Sequence, residues 1–205
     1  MRSSLGAHRA EASTIMVDLE KVAKATRLLL EGIGENPDRA GLKETPQRVA
    51  MMWRELVAGM DRRPEDVMTM VPLEDYDEII LLRDIPLVSI CEHHLVPFIG
   101  RAHVAYLPHE GRVTGLSKLA RIVELEARKL QVQERMTMAI ADDIMRTLKP
   151  RGVVVIIEAE HLCMTIRGVH KPGATTVTSV VRGLFRENEA TRAEAMVLLV
   201  GGRRG

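Results

Sequence analysis

The strongest constraint on the fold is a switch of hydrophobic period between residues 79 and 181. Residues 79–90 are almost continuously aliphatic, interrupted by Arg83-Asp84 and Pro86. They read as a buried or edge strand with a kink at the proline. Residues 98–107 alternate, with Phe98, Gly100, Ala102, Val104 and Tyr106 on one side, the period of a strand. From Leu116 the period becomes helical through Leu119, Ala120, Val123, Ala127 and Leu130. Met136, Ile140, Ile144 and Leu148 mark a second helix that ends near Pro150. Residues 153–159 return to a strand, 163–169 alternate again, and 175–181 are rich in β-branched residues. Strands grouped on either side of two helices predict an α+β fold, a ββααββ core with an antiparallel sheet.

The flanks are helical. From about Ser13, Leu19, Val22, Ala23, Thr26, Leu29, Leu30 and Ile33 keep helical spacing, with Gly32, Gly34 and Pro37 as the stop. A second helix opens at Thr45-Pro46 and runs to Gly59, which predicts a helical hairpin. A last short helix spans about residues 188–199. The expected organisation is a disordered segment 1–12, the hairpin with an acidic connector over 13–77, the main domain over 78–199, and a flexible tail 200–205. A formal charge of +1 argues against a bulk nucleic-acid or membrane binder. The longest aliphatic run near the middle, 153–157, is too short to cross a bilayer. Residues 1–12 show no apolar secretory region, so the cytoplasm is expected.

The chemistry concentrates where the first strand ends. Cys91-Glu92-His93-His94 packs a thiol and two imidazoles into four residues of a chain with two cysteines. The other cysteine, Cys163, again has a histidine two residues away, His161. Buried cysteines are ordinary, but a histidine beside each thiol favours a metal. Cys91, His94 and Cys163 form a three-ligand set for a borderline-soft ion such as Zn²⁺. Three protein ligands leave a position open, as in catalytic rather than structural sites.

If residues 161–167 are one extended strand, His161, Cys163, Thr165 and Arg167 share a face, alternate positions lying about 6–7 Å apart. His93 and His161 are then spare imidazoles suited to acid/base work, against the simpler reading of satisfied core histidines. Thr114-Gly115-Leu116-Ser117-Lys118 opens a helix with Arg121 one turn later. That arrangement suits a phosphate, with Lys118, Arg121 and Arg167 as cationic donors, or else is a plain helix start. The spacing is not that of a P-loop. Gln131-Val132-Gln133-Glu134-Arg135 lies between two helices. Its carboxylate could accept from an amidine-like edge such as guanine N1–H and the 2-amino group, or simply sit in solvent.

The stretches CEHHLVPF, GLSKLARIVE, QVQER and EAEHLCMTIRG, in this order, resemble the GTP cyclohydrolase I family, as does GLKETPQRVA nearer the N-terminus. The resemblance implies the tunnelling fold, in which antiparallel four-stranded sheets from several subunits close into a barrel, and a homodecamer of two pentamers with active sites between subunits. It implies Cys91, His94 and Cys163 as zinc ligands and His93 and His161 as catalytic histidines. Gln133 and Glu134 would face guanine, with Glu134 as the anchor, and Ser117, Lys118, Arg121 and Arg167 would surround the triphosphate. The implied reaction takes GTP and water to 7,8-dihydroneopterin triphosphate and formate. Zinc would acidify the attacking water, His93 would donate a proton to the ring, and His161 would serve the water attack or the ribose steps. Lys129-Leu130 stands where many members have Arg-Pro, and the roles of Glu92 and His170 stay open. Two other readings compete: a zinc-free tunnelling-fold relative of the nitrile reductase type, and a non-catalytic structural zinc protein.

Overall fold

The computed structural model describes residues 17–73 and 76–201. The expectations for residues 1–12 and 202–205, and for a first helical turn at 13–16, lie outside the described residues. The chain divides into two compact units, Met1–Ala50 and Met51–Gly205.

In the first unit, α1 (Leu19–Gly32) begins at Asp18, whose carboxylate accepts from the Lys21 N–H at 2.9 Å. That bond satisfies one of the donors a helix start leaves unpaired. Gly34, at φ 85°, turns the chain away, a conformation that glycine adopts freely. The following loop is held by the Arg27 fork on Asp38 and by Arg39 on Glu35. α2 (Thr45–Leu56) opens at the expected threonine–proline pair, where the missing proline N–H costs nothing.

The second unit continues, after a short 3₁₀ turn at Pro64–Asp66, with β1 (Met70–Pro72), β2 (Ile80–Cys91), β3 (Pro97–Leu107) and β4 (Arg112–Thr114). Then come α3 (Leu116–Ala127), β5 (Leu130–Gln131), α4 (Gln133–Leu148) and β6 (Gly152–His161). α5 (Leu162–Thr165), β7 (Thr175–Gly183), α6 (Leu184–Glu187) and α7 (Glu189–Val200) complete it. Strands β2, β3, β6 and β7 form the expected antiparallel sheet in that order, extended beside β2 by the two-residue parallel β5. β1 and β4 pair separately.

Period-2 alternation lets β3 serve two cores. Phe98, Ala102, Val104 and Tyr106 pack with Leu119, Ile122, Met136 and Ile140 from α3 and α4. Ala105 and Leu107, facing the other way, pack with Phe185, Ala195 and Leu199 from α6 and α7. Each large side chain so buried contributes roughly 1.5–3 kcal/mol. Gly100 is obligatory: a Cβ there would lie 1.9 Å from the Glu158 carbonyl oxygen of β6.

Two sequence expectations are corrected. The irregularity in β2 lies at Arg83-Asp84, not at Pro86. The register slips by one residue between Leu82 and Ile85, and Asp84 takes φ 55°, so the two charged residues bulge into solvent. Alternation then resumes, with Ile85, Leu87 and Ser89 inward and Pro86 outward. The second correction concerns residues 163–169, which do not form a strand. The β3–β6 ladder ends at Phe98 opposite His161, and the β6–β7 ladder at Glu160 opposite Thr175. Beyond His161 the backbone has no strand partner on either side, and it satisfies itself by a helical turn, with Ile166 N–H on the Leu162 carbonyl at 2.9 Å. The shared face proposed for His161, Cys163, Thr165 and Arg167 therefore does not exist as a strand face.

Candidate metal centre

The end of β2 and the helical turn of α5 bring three donors together. Cys91, the last residue of β2, is 5% exposed. A tight turn follows it, closed by Leu95 N–H on the Cys91 carbonyl and Cys91 N–H on the Val96 carbonyl, both at 2.9 Å. Leu95 takes φ 56° to make that turn, and His94 is thereby carried back towards the strand end. Cys163 arrives from α5. One ligand atom from each of Cys91, His94 and Cys163 lies within 4.8 Å of the others, and both cysteines are free thiols.

The donor chemistry fits a divalent ion. Two thiols and an imidazole are the ligand types preferred by zinc among the common metals. Burial pushes the Cys163 thiol up, and the neighbouring Cys91 sulfur adds to it, so a bound cation would relieve the cost of two adjacent thiolates. Arg167 lies against the trio, its Nη1 donating to His94 Nε2 at 2.8 Å. His93 is exposed and is not one of the three; its Nδ1 sits 3.9 Å from Cys91 Sγ.

His161, the last residue of β6, stacks on Phe98 with ring centroids 4.7 Å apart and planes 10° from parallel. Its Nε2 lies 2.8 Å from Gln133 Oε1. The amide nitrogen of Gln133 faces three acceptors, the carbonyls of Ile157 and Thr176 at 3.0 Å and Thr178 Oγ1 at 3.1 Å. That contact set fixes which end of the amide is oxygen. Oε1 must then accept from His161, so Nε2 carries the proton and Nδ1 keeps a lone pair. Burial lowers the His161 pKa, opposed by the Glu134 carboxylate. The ring is thus held neutral, in one tautomer, with a basic nitrogen available.

Gln133, 1% exposed, spends its side chain on this arrangement and turns inward, whereas its neighbour Glu134 is exposed. Sequence spacing could not separate the two. Glu92 has a definite partner that sequence reasoning missed: Arg135 grips its carboxylate with both terminal nitrogens. The pair holds the Glu92 pKa down. Residues 43 positions apart leave no local periodic signal by which such a pairing could have been found.

Ser117, Lys118 and Arg121 lie in the first turns of α3, behind the Gly115 cap. Among the described residues, none of the three side chains hydrogen-bonds or ion-pairs with the metal trio, His161 or Glu134. The structure thus brings Cys91, His94, Cys163, His93 and Arg167 together and joins His161 to Gln133 beside Glu134, with no bond from the α3 group to either set among the described residues.

The family model for GTP cyclohydrolase I matches residues 22–200. A GTP cyclohydrolase 1 of Pelotomaculum thermopropionicum is 60% identical over 186 residues, spanning 91% of this chain and 99% of that protein. One of Carboxydothermus hydrogenoformans is 59% identical over 184 residues, spanning 90% of this chain and 96% of that protein. Among solved structures, the archaeosine synthase QueF-Like in its apo form covers 51% of this chain at 14% identity and a TM-score of 0.43, an overlap too slight to argue from.

Proposed function

The chain belongs to the GTP cyclohydrolase I family, and from that premise we propose that it converts GTP and water to 7,8-dihydroneopterin triphosphate and formate at the centre built by Cys91, His94 and Cys163. The observation that carries this reading is the convergence of those three donors inside a family match that spans residues 22–200. We assign Zn²⁺ to the trio, on its two thiols and one imidazole. When bound, such an ion supplies Lewis acidity and lowers the pKa of a water.

The remaining roles fall to the protein's own groups. His161, neutral and fixed by Gln133, offers Nδ1 as a proton acceptor for the water attack or the ribose steps. His93, exposed beside the metal turn, donates a proton to the purine ring. Glu134 accepts from guanine N1–H and the 2-amino group, and Gln133 acts beneath it by orienting His161. Arg167, Ser117, Lys118 and Arg121 bind the triphosphate.

That the α3 side chains make no bond to the trio within one chain accords with a site completed between subunits. Among the described residues, β7 pairs only with β6, and a nine-residue strand with an open edge is a template for pairing with another chain. A homodecamer of two pentamers, sheets joined edge to edge, satisfies both features. No helix among the described residues is long and apolar enough to cross a membrane, and we place the enzyme in the cytoplasm.

The test is incubation of the purified protein with GTP, following formate and the rise of pterin absorbance. Formate with one equivalent of pterin is expected. A metal-loaded protein that leaves GTP intact would refute the reading.

A further inference from the structure

One group near the centre has no part in the reaction described above. Arg135 sits in the first turns of α4, directly after Gln133 and Glu134. Its Nε donates to Gln131 Oε1 at 3.1 Å and its Nη2 to the Leu130 carbonyl at 2.9 Å. Nη1 and Nη2 together hold the Glu92 carboxylate, Nη1 at 3.3 Å from Oε1. Gln131 is itself anchored, its amide nitrogen donating to the Glu126 carbonyl at 3.1 Å. The backbone adds a parallel link, Glu92 N–H on the Gln131 carbonyl at 3.0 Å.

Glu92 stands between two residues of the metal turn, Cys91 and His93, and Arg135 follows the carboxylate assigned to guanine. The two halves of the site lie on different elements, the metal half on the β2–β3 turn and the base half at the start of α4. We propose that Glu92 and Arg135 are a positioning pair that sets the distance between the metal centre and the guanine anchor Glu134, and so the placement of the reacting carbon against the metal. Neither side chain need touch the reacting atoms. The inference rests on the proposed role of Glu134 in holding guanine.

The chemistry of the pair suits this task. A guanidinium fork against a carboxylate fixes orientation as well as distance, which an ammonium point charge does not. The pair is partly exposed, Arg135 at 48% and Glu92 at 34%, but Gln131 and the Leu130 carbonyl hold the fork from behind and limit the orientations it can take. Misplacing bound groups by about 1 Å can cost on the order of 100-fold in rate, whereas binding depends on total contact and changes less.

The experiment compares Glu92→Gln, Arg135→Gln, Arg135→Lys and the double variant Glu92→Gln/Arg135→Gln with the wild type, each fully metal-loaded. Metal content, melting temperature, kcat and KM for GTP are measured. Each single variant is expected to keep the metal content and melting temperature of the wild type while kcat falls about 10–100-fold and KM moves by no more than about twofold. The double variant should be no worse than the poorer single one, because both changes break the same link. Arg135→Lys, which keeps the charge and loses the fork, should lose nearly as much as Arg135→Gln. Wild-type kcat in the single variants, losses that multiply in the double, full activity in Arg135→Lys, or a loss that tracks missing metal or a lowered melting temperature would each overturn the positioning role. A wild-type protein that releases no formate overturns the reaction itself, an outcome distinct from all of these.

Discussion

Replacing Gln133 by methionine tests the inner support of the site most directly. Methionine is unbranched, nearly matches glutamine in volume and leaves no large cavity, so the change is chiefly the loss of hydrogen bonds. The amide's two N–H groups serve three acceptors and its oxygen accepts from His161, which amounts to three bonds lost. At roughly 0.5–1.5 kcal/mol each, the cost is about 1.5–4.5 kcal/mol. For a chain of this length that corresponds to a fall in melting temperature of about 3–18 °C. The rate should fall too, by about 10–100-fold, because His161 loses the acceptor that fixes its proton on Nε2. Thermal melting of the metal-loaded protein and formate release from GTP are the two assays. A Gln133→Met protein that melts lower yet turns over at the wild-type rate would refute the tautomer argument and leave Gln133 a purely structural residue.

Other perturbations have equally definite outcomes. The His161 pKa is lowered by burial, so its contribution to stability is fully present above the ordinary imidazole value of about 6.5 and is lost as pH falls below it towards the folded value. The acid limb of kcat/KM, which reports the free enzyme, should accordingly lie below that ordinary value, and a limb above it counts against a neutral His161 as the base. Asp143 is pushed up to about 7, first by burial and then by the Glu126 charge. Its folded form therefore holds a proton that the unfolded chain releases, and stability falls as pH rises from about 4 to about 7. Asp143→Asn should raise the urea midpoint at pH 8 more than at pH 5, and an equal shift at both would contradict the buried-charge explanation. Cys163→Ser should lose bound metal and formate release together while keeping its circular dichroism spectrum; an unfolded protein would favour a structural metal. Gly100→Ala drives a methyl onto the Glu158 carbonyl and should cost about 1–3 kcal/mol in urea denaturation.

The core was legible where period alone decides structure. The alternation of residues 98–107 located β3 correctly because one side of it packs under α3 and α4 and the other against α6 and α7. Spacing of four from Met136 to Leu148 located α4 because that face is buried. The exceptions are places where a long-range partner decides. Arg83-Asp84 bulge because Asp84 N–H donates to His103 Nδ1 at 3.2 Å and Arg101 reaches Asp84 at the same distance, both contacts from another strand. Gln133 and Glu134 are adjacent in a motif, yet only the fold turns one inward to His161 and leaves the other exposed. Glu92 acquires its partner from α4. Residue types with metal-binding chemistry could be named from their neighbours in the chain; the hydrogen bonds that orient them could not.

The misread segment 163–169 also explains why the centre sits where it does. β3 begins at Pro97, which has no N–H to extend a ladder, and the pairing of β2 with β3 stops at Ile90 opposite Pro97. On the other side of β3, the ladder with β6 stops one residue inside, at Phe98 opposite His161. Cys91 is thus the first residue past the β2–β3 ladder, still paired on its other side with Gln131 of β5, and His161 is the last residue of the β3–β6 ladder, both beside the start of β3. Each chain must turn there, one through Leu95 in a left-handed conformation and the other through α5, and both turns carry donors to one point. A continuous strand through Cys163 would have kept its thiol on a sheet face, with no helical turn to carry it to Cys91 and His94. Losing the ladder is therefore what makes the three-donor geometry possible, and lengthening β6 by stabilising an extended Leu162–Thr165 segment should abolish metal binding before it disturbs the sheet.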